Sequence, residues 1–241
     1  MKDRTPPTGL LSSTPLVFYV TDRRAFGLEE PQASSRLLQS IERAARAGVD
    51  AIQLREKDLL GRALFELARR GAACCAPPPH RPGAGAPHAV SACGTRFLIN
   101  DRLDVALAAG ASGVHLGSES VGVADVVRFR TEGRAPTEFL IGRSCHSLEE
   151  AAQAQRDGAD YIFFGPIFAT PSKARFGAPQ GTESLAAVCR ALQIPVVAIG
   201  GITLENCGTC LAAGAAGIAA IRLFQEAGDL ATLVAALKQL S

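Results

Sequence analysis

The chain has 241 residues, 25 Lys and Arg against 23 Asp and Glu, and is 47% hydrophobic and 20% charged. The near balance of charge implies no strongly basic face, and no Lys/Arg run interleaved with aromatics points to nucleic acid, so small anions remain as candidate ligands. No stretch approaches the roughly 18 to 20 apolar residues of a membrane span, and the seven scattered cysteines fit a reducing cytoplasm better than a disulfide framework.

In chain order, residues 1–14 lack a signal-type apolar core and read as a loose N-terminal tail, with one domain over 15–241. Apolar runs then recur: "LVFYV" from Leu16, "RAGVDAIQL" from Arg46, "RFLIN" from Arg96, "AAGASGVHL" from Ala108, "FLIG" from Phe139, "RDGADYIFF" from Arg156, "PVVAIG" from Pro195 and "AAGAAGIAA" from Ala212. Every second one belongs to a repeat in which an alanine-rich amphipathic stretch stops at a glycine (Gly48, Gly110, Gly158, Gly214) and a buried strand follows. Strands separated by helix-length segments imply a parallel sheet with right-handed crossovers, and about eight such units predict an α/β fold of the (β/α)8 TIM-barrel type. A doubly wound open sheet is the alternative, but "YVTDRRAFG" is not the glycine-rich turn expected after its first strand. The Pro/Gly/Ala-rich residues 76–95 read as an extended loop. "CGTC" at Cys207 to Cys210 has metal or redox spacing but no second pair, and reads as packing thiols.

In such a barrel the chemistry sits at the C-terminal strand ends. The second strand ends "QLREKD", where Gln53, Arg55 and Lys57 alternate and can converge on an anion, or form a solvated surface pattern. The third ends in Asn100 and Asp101; this Asp reads as a ligand for a hard cation or as the N-cap of the next helix. After the fifth come Ser144 and His146, the latter a general acid/base candidate or a capping neighbour, then a capping box of Ser147 and Glu150. The loop after the sixth carries Thr170, Ser172, Lys173 and Arg175 and reads as an anion-contacting lid or a plain surface loop. Gly200 and Gly201, with the end of the eighth strand, sit where barrels often bind phosphate, or serve tight helix packing. Two separated anion clusters suit two phosphorylated small-molecule substrates, with no nucleic acid or membrane as partner and a homo-oligomer left open.

"YVTD", "QLREKD", "LINDR", "GVHLG", "GPIFAT" with Lys173, and "IGGIT" stand in the order of the thiamine-phosphate synthase superfamily, which the chain resembles from about Leu16 onward. The other branch of that superfamily is the thiazole tautomerase (TenI-like) group. The absence of a signal-type or membrane segment reads as cytoplasmic, and the resemblance implies a Mg²⁺-dependent transferase that joins hydroxymethylpyrimidine diphosphate to thiazole phosphate. It implies that Gln53, Arg55, Lys57, Asn100 and Lys173 hold the first substrate, with Ser144 nearby and Asp101 on the metal. Thr170, Ser172, Gly201, Ile221 and Arg222 would hold the second. Two departures stand out: Ser120 occupies the position where the family usually has a second metal Asp, leaving Glu119 as the nearby carboxylate, and Arg222 replaces a common Ser. "IGRSCHSLEEA" is similar to the tautomerase branch, where His146 would be the proton shuttle. A non-catalytic barrel that binds phosphorylated thiamine precursors is a further alternative.

Overall fold

Residues 15–76, 94–170 and 178–240 are described by the structure, a computed structural model. The expected tail and most of the expected 76–95 loop lie outside these residues. Eight parallel strands close into a barrel in sequence order: β1 Leu16–Val20, β2 Ala51–Leu54, β3 Arg96–Asn100, β4 Gly113–Leu116, β5 Leu140–Cys145, β6 Tyr161–Phe164, β7 Val196–Ile199 and β8 Gly217–Ala220. The pairing of β1 with β8, Val17 opposite Ile218, rules out the open-sheet alternative. Around them run α1 Gln32–Arg46, α2 Gly61–Cys75, α3 Leu103–Ala108, α4 Val123–Phe129, α5 Leu148–Asp157, α6 Gly181–Ala191, α7 Cys207–Ala212, α8 Arg222–Gln225 and α9 Leu230–Lys238. Among the described residues no helix is long and apolar enough to cross a membrane.

Alternation along each strand produces two cores. Outward side chains such as Val17, Ile52, Ile99 and Ile141 pack under the helices, while Phe18, Leu98, Leu140, Tyr161, Phe163 and Val197 fill the barrel interior. The interior is aromatic on one side: Phe18 meets Phe163 edge-on, and the His115 ring lies 4.2 Å from that of Phe163.

The repeat glycines do what the sequence predicts. Gly48, Gly110, Gly158 and Gly214 all have positive φ, which ends each helix without the penalty a side chain would incur. Two residues later the chain makes a clip that the pattern does not announce. Asp50 donates its N–H to the Val17 carbonyl and its carboxylate accepts the Val17 N–H, so one residue of the preceding strand is held at both backbone groups. Ser112 does the same to Phe97, and Asp160 to Ile141. The fourth copy, Ala216, keeps the backbone half, its N–H donating to Val196. Asp50 and Asp160 are each neutralised by a cation, Lys238 of α9 and Arg130 respectively. These clips fix the N-terminal end of the barrel and leave the opposite rim for function.

Candidate active site

At the rim, side chains from three adjacent strand ends join in one arc. Gln53 is 2% exposed and donates through Nε2 to Asn100 Oδ1 at 2.8 Å; Asn100 Nδ2 donates to Asp101 Oδ2 at 2.5 Å. The other oxygen of Asp101 accepts the Gly117 N–H at 2.9 Å and the hydroxyl of Ser120. Of the two sequence readings of Asp101, capping fails: α3 has no side-chain cap, and the carboxylate turns across to the end of β4. The backbone makes that turn by adopting φ 62° at Asp101, a left-handed conformation that Asp tolerates better than most residues. Burial alone would raise the carboxyl, but the bonds from Ser120 and Gly117, with the Lys57 charge, hold it below its ordinary value.

Glu119 is exposed on the turn after β4, and it is Ser120 that touches Asp101. Among the described residues no group of three metal-ligating side chains forms. The set still suits a hard cation held lightly, since Mg²⁺ takes one or two carboxylates and leaves its other positions to water and phosphate oxygens.

Arg55 and Lys57 follow β2, and the Lys57 charge is felt by Asp101. The Arg55 N–H is fixed on Thr21 Oγ1 at 3.0 Å, and both residues line a shallow cavity with Asp22, Arg24, Glu56 and Asp58. Glu56 between them breaks the solvated-surface reading of this segment. It is 4% exposed and its carboxylate accepts from the Thr21 hydroxyl at 2.6 Å and from the Arg23 N–H and guanidinium. Burial pushes the Glu56 carboxyl up, and these donors pull against it. Arg23 in turn grips Asp58 in a bidentate pair and reaches Glu30. This buried network is missing from the sequence reading; its one legible sign is that the strand period sends Glu56 away from Gln53, Arg55 and Lys57.

On β5 the strand runs farther than "FLIG" suggests, because Ser144 and Cys145 still pair with Phe163 and Phe164. Ser144 therefore lies within the strand, its Oγ 2.9 Å from Nε2 of buried His115. Burial holds the His115 ring down at about 3, hence neutral. The expected cap of α5 is present: Ser147 accepts from the Glu150 N–H, while Glu150 reaches back to the N–H of His146 rather than that of Ser147. The His146 ring is tied by Nδ1 to the Gly165 carbonyl at 2.5 Å, leaving Nε2 as its available nitrogen.

The second cluster forms where β6 and β7 end. Gly200 and Gly201 have φ 98° and 67°, and Cβ atoms there would come within 2.6 Å of Pro166 Cα and 2.8 Å of the Ala169 carbonyl. These glycines let the segment before half-buried Thr170 lie flat on the end of β7, joined by Phe168 N–H to the Gly200 carbonyl at 3.0 Å. Asn206, which the sequence reading omits, clamps the same turn through Gly201 and Thr203. Ile221 and exposed Arg222 begin α8 after β8. Ser172, Lys173 and Arg175 lie outside the described residues.

Residues 18–224 match the family model described as thiamine monophosphate synthase. The chain is 39% identical over 225 residues to a thiamine-phosphate synthase of Roseiflexus castenholzii, covering 93% of this chain and 87% of that one. It is 42% identical over 190 residues to the thiamine-phosphate synthase of Chlorobium luteolum, covering 79% and 80%. A solved structure of thiamine phosphate pyrophosphorylase from Pyrococcus furiosus superimposes with a TM-score of 0.71 at 31% identity, over 93% of this chain and 94% of that one. With its rim motifs on the strand ends of a closed barrel and relatives this near over most of its length, the chain belongs to the thiamine monophosphate synthase family.

Proposed function

We propose that this protein is a thiamine-phosphate synthase that joins hydroxymethylpyrimidine diphosphate and thiazole phosphate to give thiamine phosphate and diphosphate. The observation that carries the reading is the continuous arc from Gln53 through Asn100 and Asp101 to Ser120, with the Lys57 charge acting on Asp101. In the reaction the bond from the pyrimidine methylene to the diphosphate oxygen breaks, and diphosphate leaves with the electron pair. The thiazole nitrogen then gives its lone pair to the resonance-stabilised methylene cation and forms the new C–N bond.

That chemistry asks for charge stabilisation and alignment, not a protein nucleophile. Arg55 and Lys57 take up the charge that grows on the departing diphosphate, while Gln53 and Asn100, already bonded to each other, hold the pyrimidine end in register. Gly201, Ile221 and Arg222 receive the phosphate of the thiazole partner. Asp101 would hold Mg²⁺, and the cation would supply Lewis-acid stabilisation of the diphosphate charge. A cytosolic location accords with this small-molecule chemistry and with unpaired thiols.

Incubation with both substrates, with and without Mg²⁺, tests the reading: thiamine phosphate and diphosphate should form in equal amounts and only with the cation. No product at any Mg²⁺ concentration refutes it. The tautomerase alternative draws on the available Nε2 of His146, and is separated by following isomerisation of the thiazole carboxylate phosphate in a His146→Ala variant.

A further inference from the structure

Beneath Ser144 lies a buried pair that the reaction scheme leaves unused. His115 Nδ1 is 3.0 Å from the Tyr161 hydroxyl, and its Nε2 is 2.9 Å from Ser144 Oγ. His115 is 1% exposed and Tyr161 0%. Gly142 on β5 lies opposite both residues in the register, and a Cβ there would fall 2.4 Å from the Tyr161 hydroxyl and 2.6 Å from His115 Nδ1. Its backbone is not left-handed, so the missing side chain serves to clear space for this one hydrogen bond.

Hydrogen accounting fixes the direction of the chain. A neutral imidazole has one donor and one acceptor nitrogen, and a phenol has one proton to give. Among the described residues the Tyr161 hydroxyl has His115 as its hydrogen-bond partner and no other. A proton on Nδ1, in the neutral or the doubly protonated ring, would make the phenol an acceptor and bury its own proton unpaired, which is costly. Tyr161 therefore donates to Nδ1, the proton of His115 sits on Nε2, and that N–H donates to Ser144 Oγ. The proton of Ser144 is then excluded from His115 and left to point elsewhere.

We propose that Tyr161, His115 and the gap at Gly142 form a hydrogen-bond relay that orients Ser144 as a donor into the substrate pocket, toward an anionic oxygen. The identity of that oxygen, on the departing diphosphate, rests on the synthase reading; the tautomer of His115 does not. In this relay Ser144 touches substrate, and His115 and Tyr161 are positioning residues.

Two measurements on the full chain test it. The protein has four histidines, so ¹⁵N-histidine labelling and a long-range ¹H–¹⁵N spectrum resolve each ring, with His115 assigned as the one perturbed in Tyr161→Phe. A protonated Nε2 with a bare Nδ1 is expected; a protonated Nδ1 at neutral pH overturns the relay even in an inactive protein. In steady-state kinetics, Ser144→Ala and Tyr161→Phe should each lower kcat on the order of tenfold, the scale of one hydrogen bond to a charged acceptor, with KM nearly unchanged. The double variant should be no slower than Ser144→Ala alone. Independent, multiplying losses would show that Tyr161 acts only through packing. A wild-type protein that makes no thiamine phosphate counts against the synthase reading and leaves the tautomer result standing.

Discussion

Ser120 donates its hydroxyl to the carboxylate of Asp101 across the gap between the ends of β3 and β4. An uncharged donor there satisfies the carboxylate without a metal. Ser120→Asp replaces that bond by two facing carboxylates, so the variant should lose about 1–3 kcal/mol of stability without a divalent cation. Mg²⁺ should restore it and raise the melting temperature of the variant more than that of the parent. Thermal melts with and without Mg²⁺ decide this, and an equal response of the two proteins argues against a cation between positions 101 and 120.

Glu56 ties the β1 and β2 rims together from a side chain with 1% exposure. Glu56→Ala leaves Thr21 and Arg23 without their shared acceptor, although Arg23 keeps Asp58 and Glu30. A loss of about 2–4 kcal/mol follows, measured by urea unfolding. Because the backbone carrying Arg55 and Lys57 is loosened, KM for the diphosphate substrate should rise while KM for thiazole phosphate stays level.

Of the two charged clips at the other end of the barrel, Asp160 is the more buried, its side chain 6% exposed against 26% for Asp50. Asp160→Ala leaves Arg130, itself 13% exposed, without a counter-charge and with only the Phe139 carbonyl to bond, and frees the Ile141 N–H. It should cost about 3–5 kcal/mol, whereas Asp50→Ala should cost about 1–2 kcal/mol because water can reach Lys238. Calorimetry of both variants checks the order, and turnover of the folded fraction should be unchanged in each.

Arg222 stands exposed at the start of α8, beside the proposed phosphate site. Arg222→Ser should raise KM for thiazole phosphate by roughly tenfold, since a guanidinium on a phosphate contributes about 1.5–3 kcal/mol at most in a partly wet site. Unchanged kinetics would place the guanidinium in solvent.

The thiols should be slow to react. Burial raises Cys145 to about 12 and Cys189 and Cys210 to about 11, and raises Cys74 and Cys207 as well. A thiol at about 11 is ionised in roughly one molecule in three thousand at pH 7.5, so iodoacetamide should label these positions only after unfolding. Mass spectrometry of native and denatured protein reads this directly. Fast native labelling of Cys207 and Cys210 would contradict their packing role.

What could be read along the chain was the periodic part. Glycines at 48, 110, 158 and 214 announce helix ends because a left-handed stop needs that residue, and each strand follows within a few positions. The strand ends likewise exposed Gln53, Asn100 and Asp101 as neighbours in function. The partners that set their roles were not legible, because they come from other strands. Glu56 sits in a run that looks solvated, yet it is covered by Thr21 and Arg23, 35 and 33 residues earlier. Asp101 has a good capping position, but its carboxylate is claimed by Gly117, 16 residues later. Likewise, the letters "GVHLG" give no sign that His115 answers to Tyr161, which only closure of β4, β5 and β6 brings alongside.

The clips of Asp50, Ser112 and Asp160 use only residues from the floor of the barrel. Side chains that weld the floor are thus separate from those that line the mouth, where Glu56 both lines the rim and holds β1 to β2. Residues at the mouth can therefore change without disturbing the bonds that close the floor. The same separation makes this barrel a practical frame for grafting foreign loops above β3, β4 and β8 while the β1–β2 corner is left intact.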